Sequence, residues 1–293
     1  MFDANHYRGR FAPSPTGDLH FGSLVAAIVS YCQAKANNGQ WLVRIEDVDE
    51  TRVVEGADKQ IIKTLRRFGM ESDLPIIYQT DPDRKAAYAS AFKNLEQMNL
   101  TYPCVCTRAI LKGTDSYPGT CKETQVDLEL PHSVRLKVSG ESFRFADLFQ
   151  GHQSQNIQQQ CGDFNIKRKD GLFCYQLAVV VDDADQGITE VVRGIDIMDS
   201  TGRQMYLNQV LNLPQPQYAH FPVITNVLNN KLSKQNHAKA ITSEDPFNTT
   251  KMALKLLQQE VPVLNRPSQA ELMAFAVTHW QPQKLKGIES IVY

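Results

Sequence analysis

The chain has 293 residues, 42% of them apolar and 22% charged, which is enough for one large domain or two modest ones with ordinary cores. Thirty-one Lys and Arg residues against 32 Asp and Glu leave a net charge near −1, so nothing global marks a nucleic-acid partner. No apolar run reaches the roughly 18 residues of a membrane helix, and the opening residues lack a basic-then-apolar leader, so a cytoplasmic protein off the membrane is expected.

Arg8 to Ala12 reads as a short strand ended by Pro13 and Pro15, since proline fixes its own φ and holds the residue before it extended. From about His20 to Ala36, Leu24, Ile28 and Cys32, with Val25 and Val29, recur at the spacing of a buried helix face. Asn37-Asn38-Gly39 closes that helix. Trp41 to Ile45 is a buried strand running into the acidic group Glu46, Asp47 and Asp49. A helix from Gly56 to Phe68, a strand at Ile76 to Tyr78 and a helix from Asp83 to Met98 follow. This alternation predicts an α/β fold with a doubly wound parallel sheet of Rossmann type, whose ligands sit outside the carboxyl ends of the strands. The Pro/Gly turn and Glu46 both fall there.

Between 100 and 190 the alternation breaks. A cysteine cluster is followed by expected strands at Ser133 to Val138, Ser142 to Ala146, Asp163 to Lys167 and Leu172 to Val181, which together read as an α+β insertion. A strand at Glu190 to Arg193, a helix from Ser200 to Leu211 and a strand at Phe221 to Ile224 resume the pattern. Beyond Pro246 the chain reads as helical, with Ser268-x-x-Glu271 as a capping box for a helix to His279. The expected organisation is a catalytic domain from 1–99 and 191–240, an insertion over 100–190 and a small helical subdomain over 241–293, acting as a monomer.

Two motifs carry chemistry. Pro13-Ser14-Pro15-Thr16-Gly17-x-x-His20-x-Gly22 sets an imidazole in the opening turn of a helix, where backbone N–H groups and the dipole favour an anion. Gly22 leaves room for a nucleotide to approach the backbone. Lys231-Leu232-Ser233-Lys234-Gln235 is a basic loop. Each alone reads equally well as a surface histidine or a solvated lysine loop. Together they point to ATP held at its phosphates from two sides, with His20 and Lys234 stabilising charge that builds on the α-phosphate. Lys167-Arg168-Lys169 and the set Lys231, Lys234, Lys239 are the local basic patches, a type that is more often a solvated face than a phosphate contact.

Cys104-Val105-Cys106 with Cys121 is dense for a reduced compartment and supplies three thiolates of the kind structural zinc takes, with His132 the nearest obvious fourth ligand.

The first motif resembles the HIGH signature of class I aminoacyl-tRNA synthetases in the form used by their glutamate branch, and the second resembles their KMSKS loop. Leu232 stands for Met, Gln235 for the last Ser, and Ser23 where the generic pattern has a second His. Arg44-Ile45-Glu46-Asp47 and the stretch from Tyr175 to Ser200 extend the likeness. The resemblance implies ATP binding, with accompanying Mg2+, by His20, Gly22, Lys231, Ser233 and Lys234; His20, Lys231 and Lys234 are then the catalytic groups. It implies an L-glutamate pocket built from Arg10, Phe11, Ala12, Pro13, Ser14, Glu46, Tyr175 and Arg193, in which Arg suits carboxylates and Glu46 suits the ammonium. From the residues alone, Arg10 and Glu46 could instead pair with each other, and Tyr175 could be core. The resemblance also makes Tyr117 the fourth ligand of a structural Zn2+ held by Cys104, Cys106 and Cys121.

From Lys234 the sequence runs on only to Tyr293, short of the anticodon-binding region of full glutamyl- and glutaminyl-tRNA synthetases. In this it is similar to the glutamyl-Q tRNA(Asp) synthetases, which activate glutamate with ATP and transfer it to the queuosine base in the anticodon of tRNA(Asp). The implied partners are L-glutamate, ATP and queuosine-bearing tRNA(Asp). The alternative is a truncated glutamyl-tRNA synthetase charging the 3′ end of tRNA(Glu).

Overall fold

The computed structural model describes residues 6–107, 109–226, 240–263 and 268–293. The basic motif from Lys231 to Gln235, and with it Lys231, Ser233 and Lys234, lies outside the described residues.

Strand β1 (Arg8–Phe11) leads through the Pro/Gly turn into α1 (Phe21–Ala36), and β2 (Gln40–Ile45), α2 (Ala57–Arg67), β3 (Ile77–Tyr78) and α3 (Pro82–Gln97) follow as expected. Leu24, Val25, Ala27, Ile28, Val29 and Cys32 of α1 are all fully buried. A helix apolar on so many sides must be covered on both, and α1 is packed between the strands and the C-terminal helix α8 (Gln269–Thr278). Trp41 in β2 is also fully buried, and its indole N–H donates to Ser30 Oγ at 3.0 Å.

Next come β4 (Thr101–Cys104) and β5 (Ser133–Leu136). The hairpin β6 (Ser142–Asp147) and β7 (Gly151–Asn156) comes next, then the short α4 (Ile157–Gln160) and β8 (Phe164–Lys167). Strands β4, β5 and β8 form a separate antiparallel sheet. After α5 (Tyr175–Asp185) come β9 (Glu190–Gly194), α6 (Ser200–Val210), β10 (Gln217–Phe221), β11 (Val223–Thr225) and α7 (Pro246–Leu256). Helix α8 opens on the expected capping box of Ser268 and Glu271, and β12 (Ser290–Val292) pairs in parallel with β11.

One expected strand is a helix. Leu172 to Val181 reads as β because Val179, Val180 and Val181 are consecutive and β-branched. Residues Tyr175–Asp185 instead form α5, with Leu177 to Val181 all buried and α3 and α6 packed against it. A helix enclosed in this way shows no amphipathic period, so pattern alone does not separate it from a buried strand.

Strands β1, β2 and β3 are parallel in the order β1-β2-β3, with Phe11 opposite Val43 and Arg44 opposite Ile77. On the other side β9 and β10 are parallel, and β10 meets β6 where Tyr218 lies opposite Asp147. The β6–β7 hairpin therefore joins the sheet of β9 and β10. The two groups of strands touch where Thr189 N–H donates to Arg8 O and Arg8 N–H to Thr189 Oγ1, both at 2.9 Å. From β1 the chain winds outward through β2 and β3, and from β9 outward through β10. The winding thus reverses between β1 and β9, and that switch point is where such sheets bind ligands.

Candidate active site

Three strand ends frame the switch point: Ser14 beyond β1, Glu46 beyond β2 and Gly194 closing β9. His20 is the N-cap of α1, and its Nδ1 accepts from Ser23 N at 3.3 Å while Nε2 lies 3.0 Å from Ser23 Oγ. In a neutral ring, Nε2 then carries the hydrogen. His20, Gly22, Ser23, Gly194, Asp196 and Phe221 line a cavity of about 220 Å3. Val223 and Ile224 of β11 line it too, and Ala240 forms a β-bridge to His20. The described residues on both sides of the basic motif therefore lie at this cavity.

A second cavity of about 340 Å3 is lined by Ser14, Glu46, Gln79, Arg168, Phe173 and Tyr175, among others. Behind it stands a buried ionic network. Arg10 donates through Nε and Nη2 to Asp183 at 3.0 and 3.2 Å. Arg44 Nη1 donates to the same Asp183 at 2.7 Å, and Arg44 Nη2 to Glu46 Oε1 at 3.1 Å. Arg10 and Glu46 thus have separate partners, Asp183 and Arg44. Burial pushes the Asp183 carboxyl up, but Arg10 and Arg44 outweigh it and hold the group below the usual carboxylate range. Burial lifts Glu46 above that range despite the pull of Arg44 and Arg10.

Burial raises the phenol pKa of Tyr175, the first residue of α5; Glu46 adds to this, and Arg193 and Arg10 oppose it. Arg193 projects from β9 and spends three donors on the protein: Nε on His220 at 2.9 Å, Nη1 on Gln204 at 2.6 Å and Nη2 on Thr201 at 2.8 Å. Phe11 lines neither cavity. Its ring is buried in the core and stacks on Trp41 at 6.3 Å. Pro13 contributes a carbonyl that accepts Glu46 N–H at 3.0 Å, which fixes where β2 ends.

The thiols of Cys104, Cys106 and Cys121 lie within 4.8 Å of one another. Sulfurs bound at about 2.3 Å to one tetrahedral zinc would stand roughly 3.7 Å apart. Cys106 and Cys121 Sγ are 3.5 Å apart, and Tyr117 Oη lies 3.5 and 3.8 Å from Cys104 and Cys106 Sγ. Cys104 is drawn down to about 7, its burial outweighed by bonds from Tyr117 and Arg135, whereas burial and the neighbouring Cys121 push Cys106 up. His132 is outside this group, and its ring bonds Leu130 O at 2.9 Å. The donor set present therefore fits a zinc ion with Tyr117 as its oxygen. Arg135 supports it, stacking 3.6 Å over the Tyr117 ring while donating to Cys104 Sγ at 3.2 Å.

The patch Lys167-Arg168-Lys169 is largely used within the chain. Arg168 pairs with Asp49 and Asp170, each at 2.7 Å, Lys167 sits 5.0 Å over the Phe92 ring, and Lys169 donates to Val105 O at 3.1 Å.

Residues 6–257 match the family model of class I tRNA synthetases (E and Q), catalytic domain. The chain is 45% identical over 282 residues to the glutamyl-Q tRNA(Asp) synthetase of Aromatoleum aromaticum, covering 94% of this chain and 89% of that one. It is 44% identical over 281 residues to the glutamyl-Q tRNA(Asp) synthetase of Pseudomonas aeruginosa, covering 95% of each. The chain belongs to the glutamyl-Q tRNA(Asp) synthetase family. It is therefore a ligase of the aminoacyl-tRNA synthetase class. The fold of this family member is similar to that of the glutamate-tRNA synthetase from Elizabethkingia anophelis, with a TM-score of 0.81 at 22% identity, covering 98% of this chain and 68% of that one. A glutamate tRNA ligase from Elizabethkingia meningosepticum, in complex with its amino acid, gives 0.79 at 22% identity.

Sequence reading of this glutamyl-Q tRNA(Asp) synthetase family member passed over Asp183, Asp147, His220, Gln204 and Arg135. Asp183 falls just beyond the expected strand from Leu172 to Val181, and only the continuation of α5 to Asp185 turns it toward β1 and β2. Nothing in the neighbouring residues of the other four signals their role.

Proposed function

We propose that this protein activates L-glutamate with ATP to form glutamyl-adenylate, and transfers the glutamyl group to the queuosine base in the anticodon of tRNA(Asp). The observation that carries this reading is that Glu46 and Tyr175 line one cavity with the Arg10–Asp183–Arg44 network behind it, while Arg193 precedes Gly194, which lines the cavity of His20. Two guanidiniums suit two carboxylates and one carboxylate suits an ammonium, which is the charge pattern of glutamate.

In this reading a substrate carboxylate oxygen attacks the α-phosphorus of ATP. The new O–P bond forms as the bond to the bridging oxygen breaks, and pyrophosphate leaves with the electron pair. The Nε2–H of His20 at the head of α1 donates to the α-phosphate as charge builds there, Lys231 and Lys234 supply positive charge to the phosphates, and Mg2+ accompanies the nucleotide. A nucleophilic group of queuosine then attacks the acyl carbon, the bond from that carbon to the phosphate oxygen breaks, and AMP departs. The nucleophile's proton passes to solvent. Cys104, Cys106, Cys121 and Tyr117 would hold a structural zinc that clamps the start of the insertion.

The test is to incubate purified protein with ATP, labelled glutamate and tRNA(Asp) with or without queuosine. Label that requires queuosine supports the assignment. Label on the terminal 3′-adenosine, or on tRNA(Glu), overturns it in favour of a truncated glutamyl-tRNA synthetase.

A further inference from the structure

Arg193 and His220 lie opposite each other on the adjacent parallel strands β9 and β10, so their side chains share one face of the sheet. Arg193 Nε–H donates to His220 Nε2 at 2.9 Å, and a guanidinium can only donate. His220 Nε2 must therefore present its lone pair, which puts the ring hydrogen on Nδ1. That hydrogen points at Asp147 Oδ2, 2.6 Å away. The other oxygen of Asp147 accepts three backbone N–H groups, from Phe149, Gln150 and His220, each at 3.0 Å. Asp147, His220 and Arg193 are respectively 4%, 0% and 5% exposed, so water does not substitute for any of these partners. Gln204 and Thr201 take one hydrogen from each terminal nitrogen of Arg193, leaving one on each for a ligand.

We propose that His220 and Asp147 are positioning residues for the synthetase reaction: Asp147 sets the His220 tautomer, and that tautomer seats Arg193 to receive a carboxylate of the amino-acid substrate. This rests on the reading of Arg193 as a substrate ligand. The chain of constraint starts at the backbone. Three N–H groups converging on Asp147 Oδ1 decide which oxygen faces His220, and the carboxylate accepting from Nδ1 forces Nε2 to accept in turn. A protein that needed only to fill this space could use apolar side chains, since a buried ionic set is not inherently stabilising.

The geometry makes Asp147→Asn a sharp probe of near-identical shape. The backbone donors hold the amide oxygen at the Oδ1 position, so the amide NH2 faces His220 Nδ1 and donates to it. The ring hydrogen then moves to Nε2, where it meets Arg193 Nε–H, donor against donor. His220→Asn and His220→Gln divide the two contacts. Asn keeps an N–H for Asp147 but falls short of Arg193, whereas Gln places an acceptor near the Nε2 position.

The experiment measures glutamate-dependent pyrophosphate exchange with the full-length protein, reading KM for glutamate and for ATP separately. D147N and H220N should raise the glutamate KM by about tenfold to a hundredfold, the worth of one charged hydrogen bond, with the ATP KM near wild type. H220Q should lie closer to wild type than H220N. Nitrogen-15 NMR of the imidazole should show the hydrogen on Nδ1 in the wild type and on Nε2 in D147N. Glutamate KM values within twofold of wild type in D147N and H220N, while R193K raises it, would overturn the positioning role and leave Arg193 as a ligand. An unchanged glutamate KM in R193K would remove the ligand reading itself, and this proposal with it. Should D147N fail to accumulate as folded protein, the order of H220Q and H220N decides: equal glutamate KM values for the two overturn the proposal.

Discussion

Arg10 and Asp183 meet as fork against carboxylate, Nε to Oδ1 at 3.0 Å and Nη2 to Oδ2 at 3.2 Å, in a position that β1 and α5 bury from both sides. Asp183 Oδ1 also takes Arg44 Nη1 at 2.7 Å. One carboxylate thus anchors two guanidiniums behind the cavity lined by Glu46 and Tyr175, and Arg44 in turn holds Glu46.

Replacing Asp183 by Asn should therefore leave two buried cations short of a counter-charge and cost about 3–5 kcal/mol, measured by urea unfolding near neutral pH. The sign with pH follows from the depressed folded value of Asp183. Its contribution is fully present above the unfolded carboxylate range, about pH 4, and is lost as pH falls through the lower folded value. The stability gap between wild type and D183N should narrow as the pH is taken below about 4. A gap that widens there would contradict the assignment.

His20 caps α1 and, in the proposed reaction, also donates to the α-phosphate, and the two roles separate chemically. Asparagine is an equally good N-cap but cannot extend a donor to where Nε2 stands. H20N should melt close to wild type while its glutamate-dependent pyrophosphate exchange rate falls about 100- to 1000-fold. Full activity in H20N would remove His20 from the reaction.

At the cysteine cluster the arrangement separates Tyr117 from His132. Y117F should reduce zinc content after dialysis against a mild chelator, and C121S should abolish it, whereas H132A should retain zinc as the wild type does. Elemental analysis of the three variants reads this directly. Because the ligands bind metal deprotonated, zinc should also be released as pH is lowered.

Gly162 follows α4 with φ at +65°, a left-handed conformation that side chains seldom adopt, and a Cβ there would stand 2.4 Å from the Tyr117 carbonyl oxygen. That close approach lets Tyr117 N–H bond Cys161 O at 2.9 Å. G162A should cost about 1–3 kcal/mol and speed zinc loss to a chelator. An unchanged release rate would show that the α4 turn does not brace Tyr117.

Local signals carried well in this chain. The prolines after Phe11, the heptad-like spacing from Leu24 to Cys32, the capping box at Ser268 and the Cys104/Cys106/Cys121 spacing are each written in a few contiguous residues. Each therefore fixed a turn, a helix or a cluster in advance. The α/β alternation was legible for the same reason, and so was the family, through motifs whose backbone geometry needs those residue types. Helix α5 was not legible, because full enclosure erases the period that pattern reading depends on. The partners of the charged groups were not legible either. Arg10 finds Asp183 across 173 positions and Asp147 finds His220 across 73. Which of several carboxylates a buried guanidinium meets depends on how strands stack and which way a helix turns, and only the assembled sheet settles that.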